Sequence, residues 1–465
     1  MRGRARPRGA RTLSVNSRSR RDLAVVVAIA LALRVALAFV AHLFPPAGDG
    51  TYYDIVARRI AGGHGYTWLW PDGAVTYAAH YPVGFPAMVG AAYAVFGVKP
   101  AVLVCLNAAL GAAGSGAAYE LVRRRATPTR ALVGGLLVAA HPALVPYTLA
   151  AMTEGATTAL VLLAGALAEA ARSAERRRIA LSLGAFAVIG VATLVRPQSL
   201  VLAPVLGALA WDRSLRARAL GAALATACAL LVCAPWTARN CVRMNQCALV
   251  SVNGGWNLLI GAQSESGSWA PVDVPEACKT VWDEAGKDAC FGVAARRIIR
   301  DDPGRWLARV PSKLATTFDY FGAAPWYLNA SNPQVFPERA KIALGTVETA
   351  VSRGLLVAAL VGLGWGAWRR PTRRARVIGW TALACAPAAL LRHAWPAYLA
   401  FALLCVASTR WSRRPPVLPA FAGAVVLATA ALHATFFGAG RYGLVVAPFV
   451  ALLAACPRVA SEPDE

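Results

Sequence analysis

Six residues of this 465-residue chain have the types and settings that chemistry at a hydroxyl or a phosphate requires. Asp49 stands in Gly48-Asp49-Gly50, just after the first long apolar run, and Glu154 follows Met152-Thr153 in otherwise apolar surroundings. A carboxylate at such a boundary is a candidate general base, because burial there raises its affinity for a proton. Arg196, Arg239 and Arg441 each stand alone at the end of an apolar stretch. The planar guanidinium fork suits bidentate contact with phosphate. His80, before Tyr81-Pro82, is a weaker member of this basic set. Tyr52, Tyr53, Tyr442 and Trp256 offer rings for stacking, as does Trp269. Each residue also has a plain structural reading. Gly-Asp-Gly is turn chemistry, an acid at a helix start meets the macrodipole favourably, interfacial arginines snorkel to headgroups, and aromatics belt membrane interfaces. Asp54 reads as a solvated helix face and His141 as a structural histidine within an apolar run. No His-x-x-x-His or Cys-x-x-Cys spacing appears. Asp49 and Glu154 are the pair that would share a divalent cation if the chemistry used one.

The elements that must position these residues are membrane helices. The chain is 57% hydrophobic and 15% charged, with 48 basic against 23 acidic residues, which excludes an ordinary soluble domain. Apolar runs near 20 residues place spans at 23–43, 100–122, 131–150, 154–171, 179–195, 199–211, 219–236, 346–368, 377–391, 396–409, 417–435 and 442–457. The expectation is an all-α polytopic protein of about 12 transmembrane helices, with 11 to 13 as the range. The apolar start reads as a retained first helix, with no small-x-small cleavage site before the polar residues that follow. Most of the formal +25 lies in short clusters: Arg123–Arg125, Arg172 with Arg176–Arg178, Arg213 with Arg216 and Arg218, Arg369–Arg376, and Arg410 with Arg413 and Arg414. By the positive-inside rule these turns and both termini are cytoplasmic, and nucleic-acid binding is a poor reading of the charge. Counting Pro82–Gly97 as a span would put Arg123–Arg125 outside, so this segment is expected as an interfacial helix.

The organisation that follows is a basic tail at 1–22, a first membrane module at 23–236 with an outer loop at 44–99, an outer segment at 237–341 between helices 7 and 8, a second membrane module at 342–457, and a tail at 458–465. Cys241, Cys247, Cys278 and Cys290 share the outer segment, where an oxidising compartment favours two disulfides with three possible pairings.

Several motifs together resemble a known family. Asp49 followed by Tyr52-Tyr53, an Ala-rich stretch ending in Gly63-His64-Gly65-Tyr66, and Pro82-Val83-Gly84-Phe85-Pro86 resemble the GT-C superfamily of membrane glycosyltransferases. The similar branch is the protein O-mannosyltransferase and lipid A aminoarabinose-transferase group. His141-Pro142, Met152-Thr153-Glu154, Leu194-Val195-Arg196-Pro197, Pro235-Trp236-Thr237-Ala238-Arg239-Asn240, Ser251 to Leu258 and Arg441-Tyr442 fit the same pattern in order, so the resemblance runs from about 23 to 455. It implies a GT-C-type fold with interfacial helices in the first outer loop. It also implies transfer of a sugar from a polyprenyl-phosphate donor to an envelope glycan, lipid or protein acceptor outside a bacterial cytoplasmic membrane. Asp49 would be the base and Glu154 a supporting acid. His80, Arg196, Arg239 and Arg441 would hold the donor phosphate, and Tyr52, Tyr53, Tyr442 and Trp256 would contact sugar or acceptor. The alternatives are a 12-helix secondary transporter, against which the lack of an internal repeat counts, and a polysaccharide ligase or polymerase.

Overall fold

The computed structural model describes residues 8–174, 176–211, 214–370, 372–409 and 416–457. Arg213, Arg410, Arg413 and Arg414, and the tail segments 1–7 and 458–465, lie outside the described residues. The chain begins as α1 (Arg8–Val35), which tightens into a 3-10 helix at Ala36–Leu43. The loop after it folds as α2 (Asp49–Ala61), a hairpin of β1 (Thr67–Leu69) and β2 (Val75–Tyr77), and α3 (Gly84–Phe96). The hairpin is antiparallel, with Thr67 opposite Tyr77. Bundle helices follow: α4 (Pro100–Arg123), α5 (Pro128–Ala139), α6 (Thr153–Ser173), α7 (Arg178–Val195), α8 (Leu202–Ala210) and α9 (Leu215–Arg243). Six shorter helices come next: α10 (Gly254–Gln263), α11 (Glu276–Lys279), α12 (Glu284–Asp301), α13 (Pro303–Ala308), α14 (Val310–Phe318) and α15 (Ala323–Ser331). The bundle then resumes with α16 (Glu338–Trp368), α17 (Arg373–Cys385), α18 (Trp395–Ser408), α19 (Val417–Thr435) and α20 (Ala447–Ala455).

Seven helices among the described residues are long and apolar enough to cross a membrane: Ser17–Leu43 and α4, α6, α7, α9, α16 and α19. The other five expected spans are shorter helices, and proline interrupts two of them. The expected span 131–150 breaks where α5 ends at Ala139 and His141-Pro142 follows, leaving only a 3-10 turn at Pro146–Leu149. The expected span 377–391 breaks at Pro387 in the same way. Proline lacks the backbone N–H a helix needs and disfavours helical geometry in the residue before it. Two boundaries also shift. α9 runs through Pro235 to Arg243, and α16 begins at Glu338, so the segment between them is shorter than 237–341. The segment Pro82–Gly97 forms α3, which packs on α2.

Small residues let the bundle helices approach closely, as where a side chain at Gly114 of α4 would come within 3.0 Å of Ala159 of α6. The turns bearing Arg125 and Arg172 lie at one end of the bundle. Arg125 Nε lies 3.0 Å from Glu169 Oε1, Val417 N donates to Glu169 Oε2 at 3.0 Å, and Arg172 Nη1 donates to the Leu209 carbonyl at 3.0 Å. Glu169 and Glu154 stand near opposite ends of the 21-residue α6, so this cluster and Glu154 are roughly one helix length apart. At the Glu154 end a second core joins α2, α3, α4 and α15 through Tyr53, Phe85, Tyr93, Leu103 and Tyr327. Two disulfides, Cys241–Cys247 tying the last turn of α9 to the chain after it and Cys278–Cys290 joining α11 to α12, select one of the three pairings.

Candidate active site

At that end a cavity of about 350 Å3 opens between the bundle, the first loop and the segment after α9. Local geometry brings Asp49 to it. Gly48 has φ +56°, a conformation that favours glycine, and the chain then turns into α2 with Asp49 in its first helical turn. There the helix dipole favours a negative charge. Arg196 ends α7 just where α3 begins. A side chain at Gly84 would come within 2.6 Å of the Val195 nitrogen, so only glycine lets α3 start against that turn.

Asp49, Glu154, Arg196 and Arg441 converge here from four separate elements. Asp49 Oδ2 is 2.8 Å from Arg441 Nη1, and its Oδ1 accepts a hydrogen bond from Tyr81 Oη at 2.9 Å. Glu154, in the first turn of α6 and 1% exposed, has Oε1 2.6 Å from Arg196 Nη1 and 3.6 Å from Arg441 Nε. Its Oε2 accepts from Tyr147 Oη at 2.8 Å. The two carboxylates, the pair that would share a divalent cation if the chemistry used one, share the Arg441 guanidinium, and the described residues contain no cluster of three metal-binding side chains.

The ion pair reverses the expected effect of burial on Asp49. Burial pulls its pKa up, but the Arg441 charge and the hydrogen bonds from Arg441 and Tyr81 outweigh it, holding the carboxyl below its ordinary range. Burial and the Asp49 charge push the Tyr81 phenol up, which keeps it a hydrogen-bond donor. Burial pushes His80, which lines the cavity, below the ordinary histidine value, and this weakens it further as a partner for phosphate.

Tyr442 organises the two arginines. Arg196 and Arg441 lie 5.0 and 5.2 Å from its ring centroid, and His433 stacks on the ring at 3.8 Å. Gln198, with its amide oxygen facing Arg196, accepts from Nη2 at 2.9 Å and Nε at 2.6 Å. Tyr53 and Trp256 line the cavity with these groups.

Other predicted residues fall elsewhere. Arg239 does not line the cavity; it donates to the carbonyls of Ala78 and Tyr66 at 2.9 Å and lies over Trp236, an arrangement that fastens the first loop to α9. Tyr52 stacks on Trp68 at 4.8 Å, outside the cavity lining. Asp54, expected on a solvated face, is 6% exposed, paired with Arg58 Nε at 2.6 Å and bonded by Tyr93 Oη at 2.7 Å. His141 is buried, with Nδ1 accepting from the Ala143 nitrogen at 3.2 Å.

Further groups hold these residues in place. Tyr327 on α15 accepts from the backbone nitrogens of Ala47 at 3.2 Å and Ala151 at 3.0 Å, linking the loops that carry Asp49 and Glu154. Glu284 on α12 accepts from the nitrogens of Ala79 at 2.7 Å and His80 at 3.0 Å. Tyr81 lies between His80 and Pro82 and Gln198 follows Arg196-Pro197, so their positions are legible in the sequence; Tyr327 and Glu284 lie in a segment with no motif to mark them.

Residues 80–238, about a third of the chain, match the family model described as dolichyl-phosphate-mannose-protein mannosyltransferase. No curated protein matches in sequence. Among solved structures, the oligosaccharyltransferase AglB of Archaeoglobus fulgidus, in complex with an inhibitory peptide and a dolichol-phosphate, is similar at 14% identity and a TM-score of 0.45, over 95% of this chain and 50% of its own. The same archaeal enzyme tethered to an acceptor peptide gives 14% and 0.48, over 94% and 49%. ArnT of Cupriavidus metallidurans, bound to undecaprenyl phosphate, gives 15% and 0.41, over 94% and 77%. The chain thus spans about half the length of the oligosaccharyltransferase chains. The family-model match covers the stretch that holds the Pro82–Pro86, Met152–Glu154, Leu194–Pro197 and Pro235–Ala238 motif residues.

Proposed function

We propose that this protein transfers a sugar from a polyprenyl-phosphate carrier to an acceptor hydroxyl, with inversion, on the extracytoplasmic side of a bacterial cytoplasmic membrane. The observation that carries the reading is the convergence of two carboxylates and two arginines in one cavity at the end of the bundle remote from the arginine-rich turns. Asp49 takes the proton of the attacking hydroxyl. The acceptor oxygen bonds to the anomeric carbon as its bond to the phosphate oxygen breaks. Arg196 and Arg441 receive the departing polyprenyl phosphate, where paired donors stabilise developing charge. Glu154 keeps both arginines in place.

The Asp49–Arg441 pair suggests an order of events. While Arg441 holds Asp49, the carboxylate is a weak base. A donor phosphate that draws Arg441 toward itself frees Asp49 and raises its basicity, so the base becomes competent once the donor is seated.

The test is transfer by purified, reconstituted protein from labelled polyprenyl-phosphate sugars. Asp49→Asn keeps the shape of the side chain and removes the proton acceptor, and turnover falls by about 100-fold or more. Turnover equal to the parent protein's would remove Asp49 from the role of base.

A further inference from the structure

The cavity has two chemically different walls. Asp49, Glu154, Arg196 and Arg441 come from helix starts and ends of the bundle and first loop. The wall built by the segment after α9 carries no charged side chain among its described lining residues; its polar and aromatic members are Ser251, Asn253, Trp256, Asn257 and Trp269.

The charged groups answer one another: two carboxylates face two guanidinia, and a donor phosphate occupies the guanidinia. An acceptor that presented its own phosphate or carboxylate to the second wall would lose water there with no counter-charge, which is costly. A neutral polyol meets the opposite situation. Amides both donate and accept, as sugar hydroxyls do, and indoles pack against the apolar faces of sugar rings. The amides are available: Ser251 Oγ donates to Asn253 Oδ1 at 3.0 Å, and no hydrogen bond within the described residues engages the Asn253 amide nitrogen or the Asn257 side chain.

The wall is also held rigidly. Trp269 is 58% exposed, a large indole kept in solvent beside a cavity, and the turn before it is pinned. The Gly438 nitrogen donates to the Gly267 carbonyl at 2.8 Å, and Ser312 Oγ donates to the Ser266 carbonyl at 2.6 Å. Trp256 packs on Phe291 of α12 at 5.1 Å, and its backbone nitrogen donates to Asp288 Oδ1 at 2.8 Å. An exposed ring on a fixed platform loses little freedom when a ligand stacks on it.

We infer, resting on the transferase reading above, that the acceptor is a neutral glycan, recognised through Asn253, Asn257, Trp256 and Trp269, rather than a phosphorylated lipid or a peptide. A hydroxyl of its terminal sugar attacks the anomeric carbon of the donor, its proton passes to Asp49, and polyprenyl phosphate leaves.

The experiment offers the reconstituted full chain a panel of labelled polyprenyl-phosphate sugars with three acceptor types: neutral tri- to hexasaccharides of mannose, galactose and arabinose, Ser/Thr-rich peptides, and a phosphorylated glycolipid. Label is expected on a neutral oligosaccharide. Trp269→Ala and Asn257→Ala are each expected to raise the KM for that oligosaccharide by about tenfold, with the donor KM moving less than about twofold, the split expected when an acceptor contact alone is lost. Label on peptide or phosphorylated glycolipid but not on oligosaccharide overturns the inference and leaves the transferase reading standing. An oligosaccharide KM unmoved by both variants likewise overturns it. If no donor is consumed with any acceptor, the transferase reading falls and the inference with it.

Discussion

Asp49 and Arg441 come from opposite ends of the chain and meet at 2.8 Å. This contact makes a prediction in pH. A carboxyl held below its ordinary value, about 3.9 for aspartate, stays ionised as the pH falls until that depressed value is reached. The acid limb of kcat/KM, which reports the free protein, is therefore expected below about pH 4, and the limb of kcat, which reports the donor-bound state, at higher pH. Arg441→Gln removes the counter-charge, and the kcat/KM limb moves upward. Initial rates from about pH 2.5 to 8 read both, and a limb unmoved by Arg441→Gln counts against the coupling. The sign for stability is the same: the pair stabilises the fold above the unfolded-state pKa of Asp49, and this is lost as the pH falls through the folded value. Tyr327 makes a second prediction at this scale. Tyr327→Phe leaves the nitrogens of Ala47 and Ala151 without their acceptor, a loss of about 1 to 3 kcal/mol for each buried group. Thermal stability falls, and turnover falls by about tenfold because the loops bearing Asp49 and Glu154 lose their common anchor. Unchanged melting and turnover would dismiss Tyr327 as a positioning residue.

At the scale of elements, the cavity depends on how α3, α10 and α12 are set against the bundle. The start of α3 lies on the end of α7, and Gly84→Val has no room there without displacing backbone around Leu194 and Val195. Transfer is expected to fall at least tenfold, because Arg196 follows directly; retained activity in Gly84→Val would show that this contact is dispensable. The disulfide Cys278–Cys290 restrains α11 and α12, behind Trp256 and Glu284. Replacing both cysteines with serine is expected to weaken this unit by about 2 to 3 kcal/mol. The measurement is limited proteolysis of residues 254–301, which should become cleavable; equal resistance in the two proteins would refute it.

For the whole molecule, the turns of Arg125 and Arg172 lie at one end of the bundle and the cavity opens at the other. If the arginine end is cytoplasmic, as the positive-inside rule requires, a membrane-impermeant thiol reagent applied to intact cells labels Trp282→Cys, at a site 86% exposed, and leaves Arg176→Cys unlabelled. Labelling of both, or of Arg176→Cys alone, would reverse or void the orientation.

Composition, apolar periodicity and arginine clusters determined that the chain is a helical membrane protein, because the lengths and charge pattern of spans are local properties of the sequence. The motifs around Asp49, Glu154, Arg196 and Arg441 were legible for a related reason: isolated ionisable residues stand out against apolar surroundings. Three things needed the tertiary structure. Arg441, rather than burial, controls Asp49, and that is a contact between the two ends of the chain. Arg239 looked the equal of Arg196 until its guanidinium was found on the carbonyls of Ala78 and Tyr66. Tyr327 and Glu284 carry no motif, because their role is to accept hydrogen bonds from backbone nitrogens that belong to any residue type. What a side chain is shows in the sequence, but the charge it faces and the backbone it ties down are set by which distant segments the fold brings beside it.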